Sequence, residues 1–69
     1  MRDYIERAQA LVGCVAECGL GSLYAVRGVV PTSWYRDGVG ADVEILDGDH
    51  VGAVIRLPVA MVADWVRVA

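Results

Sequence analysis

The feature that most constrains this chain is a surplus of apolar side chains over the interior that so short a polypeptide can form. Of its 69 residues 57% are hydrophobic, and the mean hydropathy is +0.47. An average globular chain is about 45–50% apolar even with glycine counted. A domain of this length buries only about 60% of the surface its unfolded form exposes. Either an apolar patch stays on the surface or another chain covers it. Large exposed patches mark interaction sites, so a covering partner is expected. The length allows one domain, residues 1–69.

The surplus does not read as a membrane span. The uncharged runs from Arg7 to Glu17 and from Glu17 to Arg27 reach about half the length of a bilayer crossing. Arg2-Asp3-Tyr4 opens directly into a helical pattern, without the basic start and apolar core of a signal peptide. The cytoplasm is the expected compartment. A net charge of −3 and a pI near 4.7 argue against a nucleic-acid partner, because binding a phosphate backbone needs clustered cations. Every cation is Arg, and Lys, Asn and Phe are absent. That bias suggests a GC-rich coding sequence, hence a bacterium or a phage.

Residues 3 to 18 read as an amphipathic helix. Asp3 can cap it, with Glu6 completing a capping box. Tyr4, Ala8, Leu11, Val15 and Cys18 recur at helical spacing, widened by Ile5 and Val12, while Arg2, Arg7, Gln9 and Glu17 form a polar side. Gly13 costs about 1 kcal/mol relative to Ala in a helix interior; it marks either a close approach to a strand or drift. Gly19 suits the left-handed C-terminal position, with Leu20 folding back onto the last turn. Cys14 and Cys18 would lie a turn apart on one face, poorly placed for a disulfide. With a single His in the chain, they read as small buried hydrophobes rather than half of a zinc site.

From residue 22 to 69 the pattern is that of short strands. Ser22 to Val30 is dense in β-branched and aromatic residues and stops at Pro31. Leu23, Ala25 and Val29 fall on one face, Tyr24, Val26 and Val30 on the other. Residues 31 to 40 form a loop carrying Trp34 and Tyr35. Ala41, Val43 and Ile45 alternate with Asp42 and Glu44 as a half-buried strand. Asp47-Gly48 signals a hairpin, and His50 to Leu57 reads as the return strand. Pro58 ends it, Val59 to Val62 suits one 3₁₀ turn, and Ala63 to Ala69 closes with Val66 and Val68 inward and Trp65 and Arg67 on the other face.

That ordering resembles an SH3-like barrel, most closely over Gly52-Ala53-Val54-Ile55-Arg56-Leu57-Pro58-Val59-Ala60-Met61-Val62. The resemblance implies an α+β, mainly β fold: an N-terminal amphipathic helix packed on a five-stranded barrel. Within that superfold, Ile55 to Val62 is similar to the corresponding stretch of the plasmid-borne type II dihydrofolate reductases. Those are small SH3-like chains active as tetramers around a central pore, with a Val-Gln-Ile-Tyr motif before the proline. The matching positions here read Val54-Ile55-Arg56-Leu57, without that Gln and Tyr. The likeness therefore implies oligomerisation through barrel faces and does not carry the activity.

No residue pattern points to catalysis, a cofactor or a metal. Asp47-Gly48 has a full explanation as turn chemistry, and a short turn does not supply the ligand spacing that calcium needs. His50 is the one possible imidazole base, and no Ser, Thr or Cys sits in a nucleophile context. Gly19-Leu20-Gly21 and Gly38-Val39-Gly40 lack the following helix of a phosphate-binding loop. Trp34, Tyr35 and Arg36 are residue types enriched at binding hot spots, although Trp34 could instead plug a core that has no Phe. Trp65 is either a core cap or half of an aromatic groove with Trp34 and Tyr35.

The expected function is a protein-interaction module binding another protein or itself as a homo-oligomer, with Trp34, Tyr35, Arg36 and Trp65 as contact residues. A phage or mobile-element accessory or inhibitor fits that description. The alternative is an oligomeric small-ligand binder or enzyme whose site is assembled at a symmetry axis.

Overall fold

The computed structural model describes residues 3–69; Arg2, expected on the polar side of the helix, lies outside the described residues. The element order is α1 (Asp3–Ala10), β1 (Val15–Glu17), β2 (Leu23–Pro31), β3 (Val39–Ile45), β4 (Val54–Pro58), α2 (Val59–Val62) and β5 (Val66–Arg67). The five strands make one antiparallel, unclosed sheet in the order β4-β3-β2-β1-β5. The N-terminal helix lies against α2 and β2. No helix among the described residues is long and apolar enough to cross a membrane.

The helix ends at Ala10, not at Cys18. Its first half behaves as the spacing predicts: Ala8 and Leu11 are buried, with Tyr4 and Ile5 packed beside them. Asp3, expected as a cap, is itself helical, and its carboxylate is paired with Arg7 one turn on. The N–H groups of Leu11 and Val12 then bond to carbonyls three residues back, at 3.0 and 3.1 Å, which tightens the last turn. Gly13 takes φ +84°, a left-handed conformation that only glycine adopts cheaply. Its N–H donates to the Val26 carbonyl at 2.9 Å. From there the chain runs as β1, so the helical periodicity of Val15 and Cys18 is incidental. Cys14 and Cys18 flank a strand instead of sharing a helix face, and both are half-buried free thiols.

Among the described residues nine form the interior: Ala8, Leu11, Ala16, Val26, Ala41, Val43, Val59, Val62 and Ala63. They come from both helices and from β1, β2 and β3, and none is larger than leucine. A β-bulge between Val26 and Gly28 decides which of the β2 residues join them. One extra residue, Arg27, inverts the in–out alternation beyond it. Val29 therefore packs against the core together with Tyr24, and the expected grouping of Val29 with Leu23 and Ala25 does not hold.

The β3–β4 connection is longer than a two-residue hairpin. It closes where Ile45 N–H donates to the Ala53 carbonyl at 2.9 Å and Gly52 N–H donates to the Ile45 carbonyl at 2.8 Å. The return strand begins at Val54 rather than His50. Asp47 ties the loop to β2, its carboxylate accepting from Leu23 N–H at 3.3 Å.

The last strand has the opposite facing to that expected. Val66 is 65% exposed and Val68 51%, whereas Trp65 packs against the core. Cross-strand partners share a face, and Val66 is paired with Glu17, a solvent-facing residue. Trp65 is set by α2, its N–H donating to the Val62 carbonyl at 3.0 Å.

The total accessible surface is 4353 Å², close to the roughly 4,200 Å² usual for a monomer of 7.4 kDa. The apolar surplus therefore shows in what the surface is made of, not in how much surface there is. Gly13 gives the fold its sharpest test. Gly13→Ala is expected to destabilise the protein by about 1–2 kcal/mol in chemical denaturation, the cost of a left-handed non-glycine residue. A helix continuing to Cys18 would reverse the sign, because Ala would then stabilise its interior by about 1 kcal/mol.

Candidate functional site

Two hollows meet at β4, sharing Ile55 as a wall. The larger, of about 330 Å³, opens on the core face of the sheet. Ile55 and Leu57 project into it from β4, Tyr24 from β2, Met61 from α2 and Trp65 from the segment before β5, while Leu20 stands at its rim on the β1–β2 turn. Cys18 and Gly19 complete the lining, so no residue around it carries a formal charge at neutral pH. The Trp65 and Tyr24 rings stack at 4.6 Å between centroids with 21° between planes, giving the groove a rigid aromatic floor.

The reason this groove exists lies in the sheet order. β4 and β5 are the two edges, and the single turn of α2 that connects them leaves the core face between them uncovered. Strand alternation then directs Ile55 and Leu57 to that face, opposite their partners Val43 and Ala41. Leu20 is 95% exposed and Met61 50%. Leu20 does not fold back onto a helix, since the preceding segment is a strand.

The smaller hollow is on the opposite face, lined by Trp34, Asp42, Val54, Ile55 and Arg56. Arg56 and Asp42 are direct cross-strand partners and form a forked ion pair, Nε to Oδ1 at 2.7 Å and Nη2 to Oδ2 at 3.1 Å. The Arg56 guanidinium also sits 5.1 Å from the centre of the Trp34 ring. Gly40 makes room for this arrangement: a Cβ there would lie 2.9 Å from Arg56 Cγ and 3.1 Å from Thr32 Cγ2. Tyr35 fixes the loop from the other side, its hydroxyl donating to the Arg56 carbonyl at 2.9 Å. Tyr4 donates to Asp37 at 2.9 Å and ties the same loop to α1.

The four residues that the sequence singles out therefore divide. Trp34, 67% exposed, is not a core plug, and truncating it would forfeit about 0.5–1 kcal/mol of exposed cation–π contact. Tyr35 is half-buried and structural, and Arg36 is exposed. Trp65 belongs to the larger groove with Tyr24, not to a shared aromatic surface with Trp34. Leu20, Tyr24, Ile55, Leu57 and Met61 escape a reading by residue type because groove walls look like core. One signal was available: in Gly19-Leu20-Gly21 the leucine has no side-chain neighbours to cover it. Among the described residues, no three His, Cys, Asp or Glu side chains gather as a metal site.

The Asp42–Arg56 pair carries the clearest electrostatic consequence. The hydrogen bonds from Arg56 hold the Asp42 carboxyl below its ordinary value, aided by the guanidinium charge and opposed by partial burial. The same bonds raise Arg56. A carboxyl depressed by folding stabilises the native state above its unfolded pKa, and that contribution disappears as the pH falls through the folded value. Thermal unfolding of the native chain and Asp42→Asn should thus differ fully above about pH 4, the ordinary aspartate range, and converge in stronger acid. A gap that stays constant from pH 7 to pH 2 would show that the pair makes no pH-dependent contribution.

No protein-family model, curated protein or solved structure matches this chain.

Proposed function

We propose that the chain is a small cytoplasmic protein-interaction module that binds another protein, or its own copies, through the apolar groove between β4 and β5. The observation that carries this reading is the composition of the groove: a hollow of about 330 Å³ walled by Leu20, Tyr24, Ile55, Leu57, Met61 and Trp65, with no formal charge around it. A cleft of about 300 Å³ with apolar and aromatic walls is a usual form of ligand pocket, and aromatic and Met side chains with no charge among them are the composition enriched at the core of protein interfaces. The exposure of Leu20 and Met61 is the uncovered area that a partner would remove from water.

The scaffold fits the same reading. A strand order of β4-β3-β2-β1-β5, with Pro58 closing β4 and a single helical turn leading from it toward β5, supports a sheet that coils toward an SH3-like barrel. Small barrels of that type serve many unrelated functions through sites grafted on one scaffold. Trp34 and Arg56 offer a second, smaller contact area around the β4 edge.

Selection of a random-peptide display library against the dilute chain tests the proposal. Enriched peptides are expected to lose at least tenfold in affinity on Met61→Asp and to change little on Trp34→Ala, both variants keeping the native circular dichroism. Failure to enrich any peptide, or enrichment that follows Trp34 and ignores Met61, would overturn the groove as the binding site.

A further inference from the structure

We infer that Asp47-Gly48 is a modification site at which the folded chain isomerises its own aspartyl bond, and that the fold protects the only other such dipeptide, Asp37-Gly38. In an Asp-Gly sequence the glycine amide nitrogen can attack the preceding side-chain carboxyl, because no Cβ crowds the approach. The nitrogen bonds to Cγ, the amide proton and the carboxyl hydroxyl leave as water, and a five-membered imide results. Water then opens the ring at either carbonyl. Opening at Cγ restores aspartate. Opening at the main-chain carbonyl leaves isoaspartate, with the backbone running through Cβ and Cγ. One water leaves and one returns, and nothing is oxidised or reduced.

Backbone conformation does not separate the two sites. Gly38 and Gly48 take φ +79° and +83°, and neither has an atom within 4 Å of where a Cβ would stand. Hydrogen bonding does separate them. Gly38 N–H donates to the Tyr35 carbonyl at 3.0 Å. The Asp37 oxygens accept separately, Oδ2 from the Tyr4 hydroxyl at 2.9 Å and Oδ1 from Val39 N–H at 3.3 Å. Nucleophile and carboxyl are both committed there. Among the described residues Gly48 N–H has no acceptor, and no backbone N–H from Asp47 to Val51 donates to a backbone carbonyl. The two Asp47 oxygens share one donor, Leu23 N–H, at 3.3 Å each, just outside the usual N–H···O range. Sparse bonding and exposure from Asp47 to Val51 put this loop tip at the low end of local stability.

The fold also tolerates the product. The β3–β4 connection closes below the tip, through Ile45, Gly52 and Ala53, so the added backbone atom is taken up outside the sheet. The Leu23–Asp47 contact is exposed, and water can replace the carboxylate as acceptor.

Storage of the folded chain in warm neutral buffer, beside a parallel sample in urea, tests the assignment. Cleavage after Arg36 and Arg56 releases one peptide, residues 37–56, that carries both dipeptides. Electron-transfer fragmentation distinguishes isoaspartate from aspartate at each. In the folded sample isoaspartate is expected to form at position 47 about tenfold or more faster than at position 37, which must first give up several hydrogen bonds. In urea the two positions should convert at one rate. Position 37 keeping pace with position 47 in the folded sample would overturn the inference, as would an absence of isoaspartate at 47 there. Unequal rates in urea would overturn it too, by assigning the difference to local sequence rather than to the fold.

Discussion

An interior made almost wholly of alanine and valine governs the rest of this molecule. Ala8, Ala16, Ala41 and Ala63 hold the helices and the sheet close together, and the largest fully buried residues are valines. Close packing leaves little free volume, so the aromatic rings and the long aliphatic chains cannot be drawn inside without prising the layers apart. They are displaced to the margins. Tyr24 and Trp65 stack half-buried at one margin, and Leu20, Ile55 and Met61 stand around them. The apolar surplus of the sequence and the open groove are one fact seen at two scales.

The two faces of β4 divide the work of stability and recognition. On one face Arg56 is fixed three ways, by the Asp42 fork, by the Trp34 ring and by the space over Gly40. Tyr35 also takes up the Arg56 carbonyl. These contacts stiffen an edge strand that has a neighbour on one side only. On the other face Ile55 and Leu57 project from the same five residues into the groove. The strand is thereby held in place by polar and aromatic contacts that leave Ile55 exposed to water.

How much of this was legible in the sequence depends on whether the deciding term was local. The alternation from Ala41 to Ile45 and the stop at Pro58 are set by neighbours along the chain, and they read correctly. The end of α1 did not, because Val15 and Cys18 keep a helical spacing while Gly13 breaks the helix and Val26 captures its N–H. A tertiary hydrogen bond overrode a periodic pattern. The side of Val29 turned on a one-residue bulge at Arg27, which alternation alone cannot reveal, and the facing of Val66 turned on its pairing with Glu17. Of the expected site, Trp65 was placed in an apolar groove, but with Tyr24 and Met61 rather than Trp34. Groove walls are assembled by topology from five separate segments, and each of them, taken alone, has the composition of core.

The account rests on apolar side chains that the isolated fold leaves open to water. Methyl NMR of the dilute chain with a soluble paramagnetic agent measures this residue by residue. Strong relaxation of the Leu20, Ile55 and Met61 methyls, beside protected Val26, Val43, Val59 and Val62, is the predicted result. Protection of the groove methyls to the same degree as those valines, in a sample shown to be monomeric, would contradict it.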